Sequence, residues 1–158
     1  MAPISFTFLD PGTLTVGELS LVLAETKPWI VSADGGERVP AYVFDMRAIG
    51  VVERVGTINL RIGSTEGIRL YAGNIGYTVF EQHRGHRYAA RACKLLMPLA
   101  RRHGLRELWI TCNPDNIASR RTCELAGARF VEIVNLPAEG EMYQRGERRK
   151  CRYRLELI

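Results

Sequence analysis

No apolar run in these 158 residues approaches the roughly 18 needed to cross a bilayer, so no membrane-inserted helix is expected. The N-terminus, MAPISFTFLD, lacks a basic stretch followed by a long apolar segment and a small-residue cleavage site. A secretory signal is therefore not expected, and a cytoplasmic location is the default. The four cysteines, Cys93, Cys112, Cys123 and Cys151, contain no CxxC pair. That spacing argues against zinc, no metal is expected, and a reducing compartment would keep all four as thiols. No repeat, low-complexity tract or linker interrupts the chain, so one domain over residues 1–158 is expected. Such a length buries roughly two thirds of the unfolded surface without a metal or disulfide staple. Neither GxxxxGK followed by Ser or Thr nor GxGxxG occurs, which removes the Walker cradle and the dinucleotide fingerprint.

What is present begins with an ordinary soluble composition, 46% apolar and 25% charged. The charge is divided unevenly. Residues 1–78 carry 6 Lys/Arg against 8 Asp/Glu, and residues 79–158 carry 16 against 9. The second half either gains solubility from this surplus or attracts a phosphate-bearing ligand.

Alternation and β-branched residues predict strands at 4–9, 18–25, 41–49, 53–62 and 74–80, with turn-rich loops at 31–40 and 137–147. The period then changes. Ala92, Leu95, Leu96 and Leu99 fall at i, i+3, i+4 and i+7, predicting an amphipathic helix over 88–103 stopped by Gly104. Pro98 inside it removes one backbone hydrogen bond and predicts a kink. A strand at 105–112, a helix in PDNIASRRTCELAG ended by Gly127, and strands at 128–134 and 150–157 follow. Trp29 and Trp109 read as core or sheet-packing residues. The order predicts an α/β (α+β) fold: a sheet with helices packed on it.

The strand-to-helix junction reads RGHRYA, residues 84–89. The first turn of a helix exposes N–H groups without internal partners at the positive end of the helix dipole, and such groups can grip a phosphate. Gly85 lets the backbone approach an anion, and Arg84 and Arg87 can add charge-assisted hydrogen bonds. An ordinary loop with solvated arginines is the competing reading of the hexapeptide.

The segment resembles the acyl-CoA loop of the GNAT superfamily of N-acetyltransferases, whose commonest form is like RGxGYA followed by a helix. Arg84, Gly85, Tyr88 and Ala89 match, His86 fills the variable slot, and Arg87 stands where the pattern has glycine. The resemblance continues into NIASRRTCELAGA (116–128), like the family's helix that opens with NxxS and closes at GA, and so covers residues 73–134. It implies a mixed, mostly antiparallel twisted sheet, acetyl-CoA as co-substrate and an amine acceptor. It also implies that Thr78, Val79 and Phe80 lie where the upstream strand pairs with pantetheine, and that Asn116 contacts the coenzyme, unless Asn116 only caps the helix. The family places two helices between its first strands, whereas residues 10–40 contain Pro11, Gly12, Gly35, Gly36 and the strand-like LSLVLAE, so that region is expected to differ.

Acetyl transfer needs a neutral amine, a polarised carbonyl and a protonated thiolate. In many relatives a tyrosine seven residues after the asparagine protonates the sulfur; here that position is Cys123. Cys123 is thus a candidate donor or a packing residue, with Ser119 the alternative donor. Asn116, Ser119 and Cys123 share one helical face. Glu53, Asp45 and Glu81 are candidate bases without a matching family position; His83 and His86 flank the loop as surface or phosphate-facing residues. Met142 and Tyr143 mark 137–147 as a cover for the acceptor or a plain connection.

The leading expectation is a Rim-type N-acetyltransferase acting on a protein N-terminus or a small amine by direct attack. A catalytically idle acyl-CoA-binding module and a basic nucleic-acid-binding domain are the rivals; the latter is disfavoured because the arginines of RRHGLR, SRR and RGERRKCRYR lie on different elements. A homodimer is left open.

Overall fold

A computed structural model describes residues 6–31 and 38–157, the side chains at 29–31 and 38 excepted. Among the described residues are eight strands, β1 (Leu14–Val16), β2 (Leu19–Val31), β3 (Arg38–Ala48), β4 (Gly56–Arg61), β5 (Ile75–Val79), β6 (Glu107–Cys112), β7 (Arg129–Asn135) and β8 (Arg149–Glu156), and the helices α1 (Tyr88–Arg102) and α2 (Ile117–Leu125). Shorter helical turns lie at Ile68–Ala72, Glu81–His83 and α3 (Glu141–Gln144). The strands form two antiparallel sheets, β1-β2-β3-β4-β5 and β6-β8-β7. Among the described residues no helix is long and apolar enough to cross a membrane.

The two periodicities identified in the sequence build the core. Leu19, Leu21, Tyr42, Phe44, Met46, Ile58 and Leu60 alternate along β2–β4 and meet Ala92, Cys93, Leu96, Leu99 and Ala100 of α1. Burying each leucine side chain contributes about 1.5–3 kcal/mol. On the second sheet Cys151, Tyr153, Leu155 and Leu157 carry the same cluster onward, as their alternation predicted. α1 continues through Pro98 to Arg102, so the proline costs a hydrogen bond without ending the helix. Arg91 ties α1 to the β1–β2 turn through a bidentate pair with Glu18 at 2.8 and 2.9 Å. Those hydrogen bonds hold the Glu18 carboxyl down at about 2.

Four sequence expectations need correction. The strand expected at 4–9 is absent over its described part, residues 6–9. Leu9 N–H donates to the Tyr42 hydroxyl at 2.8 Å, and Phe8 and Phe6 pack on Tyr42 and His103, so aromatic anchoring takes the place of a ladder. β2 runs past residue 25 to Val31 and pairs with β3 across two register shifts, forming a long hairpin in the region expected to differ from the family. Residues 38–40 of the expected 31–40 loop belong to β3, and 32–37 lie outside the described residues. β4 starts at Gly56, three residues later than expected, because Val55 N–H already closes onto Met46 O at 2.8 Å.

The 137–147 segment is neither bare loop nor free. Met142 of α3 is buried with Leu136, Val39, Ile68 and Ala72 in a second, smaller cluster. Trp109 is buried with the Arg152 guanidinium 4.2 Å above its ring, in keeping with a packing role; the Trp29 side chain lies outside the described residues.

Candidate active site

Asn74 locks the two sheets together at one end of β5. Its N–H donates to Trp109 O at 2.6 Å, its Oδ1 accepts from Trp109 N at 2.8 Å, and its Nδ2 reaches Arg61 O and Gly63 O at 3.0 and 2.8 Å. Gly73 permits this approach, since a Cβ there would stand 2.9 Å from Trp109 O. Beyond Asn74 no ladder joins β5 to β6. Arg61 N–H donates to Asn74 O and Phe80 N–H to Val55 O, so antiparallel alternation turns the even positions of β5 toward β4. The backbone groups of Tyr77 and Val79 therefore face the gap between the sheets. Of the three positions named from the family, Val79 presents its backbone to the gap, while Thr78 and Phe80 turn theirs to β4.

A cleft of about 760 Å³ fills this gap, walled by β5, the 83–87 loop, the first turn of α1 and one face of α2. Thr78, Val79, Arg84, Gly85, His86, Arg87, Tyr88, Ala89, Asn116 and Ser119 line it, as does His83. Phe80 and Cys123 do not. Phe80 lies under the Arg54 guanidinium at 5.7 Å, and Cys123 is fully buried.

At position 87 the loop takes a left-handed geometry of the kind that favours glycine. Arg87, the N-cap of α1, adopts φ 58° and ψ 29°, the single left-handed non-glycine among the described residues. No side chain caps α1, so its first N–H groups are free to face the cleft. Gly85 takes φ +98°, and nothing lies within 4 Å of where its Cβ would be. Three arginines line the cleft, Arg84, Arg87 and Arg121, against no carboxylate. Arg84 spends its Nε on Val79 O at 3.2 Å and Arg121 pairs with Glu124 at 3.2 Å, whereas the Arg87 side chain is exposed. His86 stacks on Tyr88 with ring centroids 5.0 Å apart.

On α2 the Asn116 Oδ1 accepts from Ser119 N–H at 3.0 Å, so Asn116 does cap the helix. Its amide nitrogen remains available to the cleft that it lines. Ser119 Oγ lies 2.7 Å from the Tyr77 hydroxyl. Burial, reinforced by the neighbouring Cys123, pushes the Tyr77 phenol well above its ordinary value, so it stays protonated. Cys123 hydrogen-bonds Cys112 beneath the cleft, and that bond together with burial drives its thiol strongly upward. All four cysteines are buried free thiols; burial raises that of Cys93 to about 12.

None of the three candidate bases lines the cleft. Glu53 pairs with His83 at 3.0 Å, Asp45 pairs with Arg54 at 3.0 Å, and Glu81 is exposed on its short helical turn. Among the described residues no group of three or more His, Cys, Asp or Glu is arranged to hold a metal. Sequence reasoning missed Tyr77, which reads as an alternating core aromatic, and the α2 wall of Ala118, Arg121, Thr122 and Leu125. The wall was findable, because those residues recur at i, i+3, i+4 and i+7.

The family model described as an acetyltransferase (GNAT) domain matches residues 7–129. The chain belongs to that family. No curated protein matches the sequence. Among solved structures, the microcin C7 self-immunity acetyltransferase in complex with acetyl-CoA and AMP is similar, with TM-score 0.57, 17% identity, and 73% of this chain and 61% of that one covered. A GNAT-family acetyltransferase from Bacillus anthracis gives TM-score 0.56 at 21% identity over 73% and 66% of the two chains. A Salmonella typhimurium acetyltransferase that modifies the N-terminal serine of ribosomal protein L7/L12 gives 0.55 at 19% over 75% and 64%. The chain thus spans 61–66% of the length of these structures. At such identities the likeness carries the fold.

Proposed function

We propose that the cleft binds acetyl-CoA and passes its acetyl group to a primary amine, either a protein N-terminus or a small amine. The carrying observation is the three-arginine, carboxylate-free cleft at an uncapped helix start, faced by the backbone edge of Tyr77 and Val79 that does not pair with β4. The amides of the 85–90 segment and the guanidiniums of Arg84 and Arg87 suit the diphosphate. The β5 edge suits the pantetheine amides. Relatives in similar folds hold acetyl-CoA, which supports the same donor here.

In this reading the amine attacks directly: a C–N bond forms, the C–S bond breaks, and the sulfur leaves with the electron pair. Ser119 gives the sulfur a proton and recovers one from the proton the amine releases through water. Cys123, enclosed and strongly protonated, packs the helix. The four reduced thiols favour a cytoplasmic setting.

The absence of a carboxylate from the cleft lining favours a second reading, an acyl-CoA-binding module without turnover. The basic surplus offers little to nucleic acid: Arg91 is engaged by Glu18, Arg120 by Tyr153 and Phe130, and Arg152 by Glu132 and Trp109. Calorimetric titration with acetyl-CoA, followed by thiol release with free-N-terminus peptides and small amines, tests the proposal. Binding with release supports the enzyme, binding without release for any amine supports the module, and no binding refutes both.

A further inference from the structure

Resting on the acetyl-CoA reading above, we infer that Arg61 and Asn59 form an anion subsite beside the coenzyme strand, which receives a carboxylate carried by the acceptor amine. Ile58 and Leu60 of β4 are buried in the main core with α1, so alternation sends Asn59 and Arg61 to the opposite face of the sheet. Gly76 of β5 stands opposite Asn59 in the register and shares that face. Its N–H donates to Asn59 Oδ1 at 3.1 Å. A backbone N–H can only donate, so this bond fixes which end of the amide is oxygen and leaves Nδ2 as a donor. Among the described residues neither Asn59 Nδ2 nor Arg61 Nη2 has a hydrogen-bond partner. The buried side-chain atoms left without partners are Trp109 Nε1 and Asn113 Oδ1, so the two donors still reach solvent.

Arg61 is a half-buried cation whose guanidinium meets no carboxylate among the described residues. Its Nη1 donates to Ala72 O and Gly73 O, both at 3.1 Å, which fastens one end and leaves the other. Burial lowers its pKa, and no neighbouring carboxylate opposes that shift. The acids of the adjoining strands are committed elsewhere, Asp45 to Arg54 at 3.0 Å and Glu25 to Lys27 at 3.8 Å. A charge drawn out of water without a counter-charge is costly, and an arriving anion relieves that cost. A Cβ at Gly76 would stand 3.4 Å from both Arg61 Nη2 and Asn59 Nδ2, so the two donors flank one spot on β5. Two donors carrying one positive charge match the two oxygens and single negative charge of a carboxylate. The spot adjoins Tyr77, whose backbone edge faces the gap between the sheets, and lies on the face away from α1. An amine entering that gap from this face would lay its carboxylate against Arg61.

Product analogues test the subsite without requiring turnover. The whole protein is titrated with CoA and then, by NMR, with two acids and one uncharged control. N-acetyl-β-alanine carries its carboxylate on a small molecule, N-acetylaspartyl-alaninamide carries it on an acidic first residue, and N-acetyl-β-alaninamide carries none. At least one acid should shift the Gly76 amide and the Asn59 side-chain amide saturably, with affinity about tenfold or more above the control. Which acid does so identifies the source of the carboxylate. Arg61→Gln should bring acid and control to parity. If that variant does not fold, Asn59→Asp decides: it keeps an acceptor for Gly76 N–H, sets a permanent carboxylate beside Arg61, and should abolish the preference for acid. Each variant is compared with itself, acid against control, so a general loss of structure does not imitate the effect. Acids that bind no better than the control, or a preference that survives Asn59→Asp, overturn the subsite and leave the acetyl-CoA reading standing. Failure of CoA to bind overturns that reading and the acceptor role with it.

Discussion

Arg87→Gly should weaken CoA binding while leaving the fold as stable or making it more so. A non-glycine residue in the left-handed region costs about 1 kcal/mol, and Arg87 sits there at φ 58°. Glycine removes that strain but gives back about 0.5–1 kcal/mol through its freer unfolded chain. The net falls between about zero and +0.5 kcal/mol, or no change to a Tm rise of about 2 °C for a chain of this size. Binding moves the other way. The guanidinium is exposed, so its hydrogen bond to a diphosphate is worth less than a buried one, about 1–2 kcal/mol. That corresponds to about a five- to thirtyfold rise in Kd for CoA. Differential scanning calorimetry of the free protein and isothermal titration with CoA read the two effects separately. A CoA affinity equal to or tighter than the native one would show that the loop amides hold the diphosphate alone. A clear drop in Tm would show that the left-handed turn needs the arginine.

Gly85→Glu should abolish CoA binding, because a carboxylate would enter a carboxylate-free cleft from a backbone at φ +98°; an unchanged titration would contradict that placement. Asn74→Ala leaves Trp109 N–H, Arg61 O and Gly63 O without their partner and should cost about 2–4 kcal/mol in urea unfolding; a loss below about 1 kcal/mol would mean that the sheet junction is held elsewhere. Burial, and then the Arg102 charge, lower the His103 pKa in the folded state below its unfolded value of about 6.5. The stability that neutral His103 supports is therefore complete above that value and lost as pH falls through the folded pKa. Tm should decline from pH 7.5 toward 5.5, more steeply than in His103→Gln, which cannot titrate there; parallel slopes would refute the assignment.

The helices and the last strand were legible because they rest on long, unambiguous periods. Leu95, Leu96 and Leu99 mark one face of α1, and Cys151, Tyr153 and Leu155 alternate on β8. The N-terminal strand misled because Phe6 and Phe8 are half-buried, Phe6 stacked on His103 and Phe8 edge-on against Tyr42, and composition does not separate aromatic anchoring from a ladder. The hairpin's extension through residues 26–31 was hidden by Pro28 and by the exposed side chains of residues 26–28, which carry no alternation. Within the cleft, RGHRYA announced itself through family likeness, but the left-handed turn at Arg87 did not, since arginine carries no local preference for it. Tyr77 escaped because its partner, Ser119, is 42 residues away, and only the folded chain brings the two hydroxyls together.

The central claim is that the amides opening α1, with the neighbouring arginines, hold the diphosphate of CoA. Amide NMR of the whole protein titrated with CoA tests it most directly. The account predicts its largest shifts at Gly85 to Ala90 and at Val79, with saturation at one site. Saturable binding that leaves those amides unmoved would contradict it.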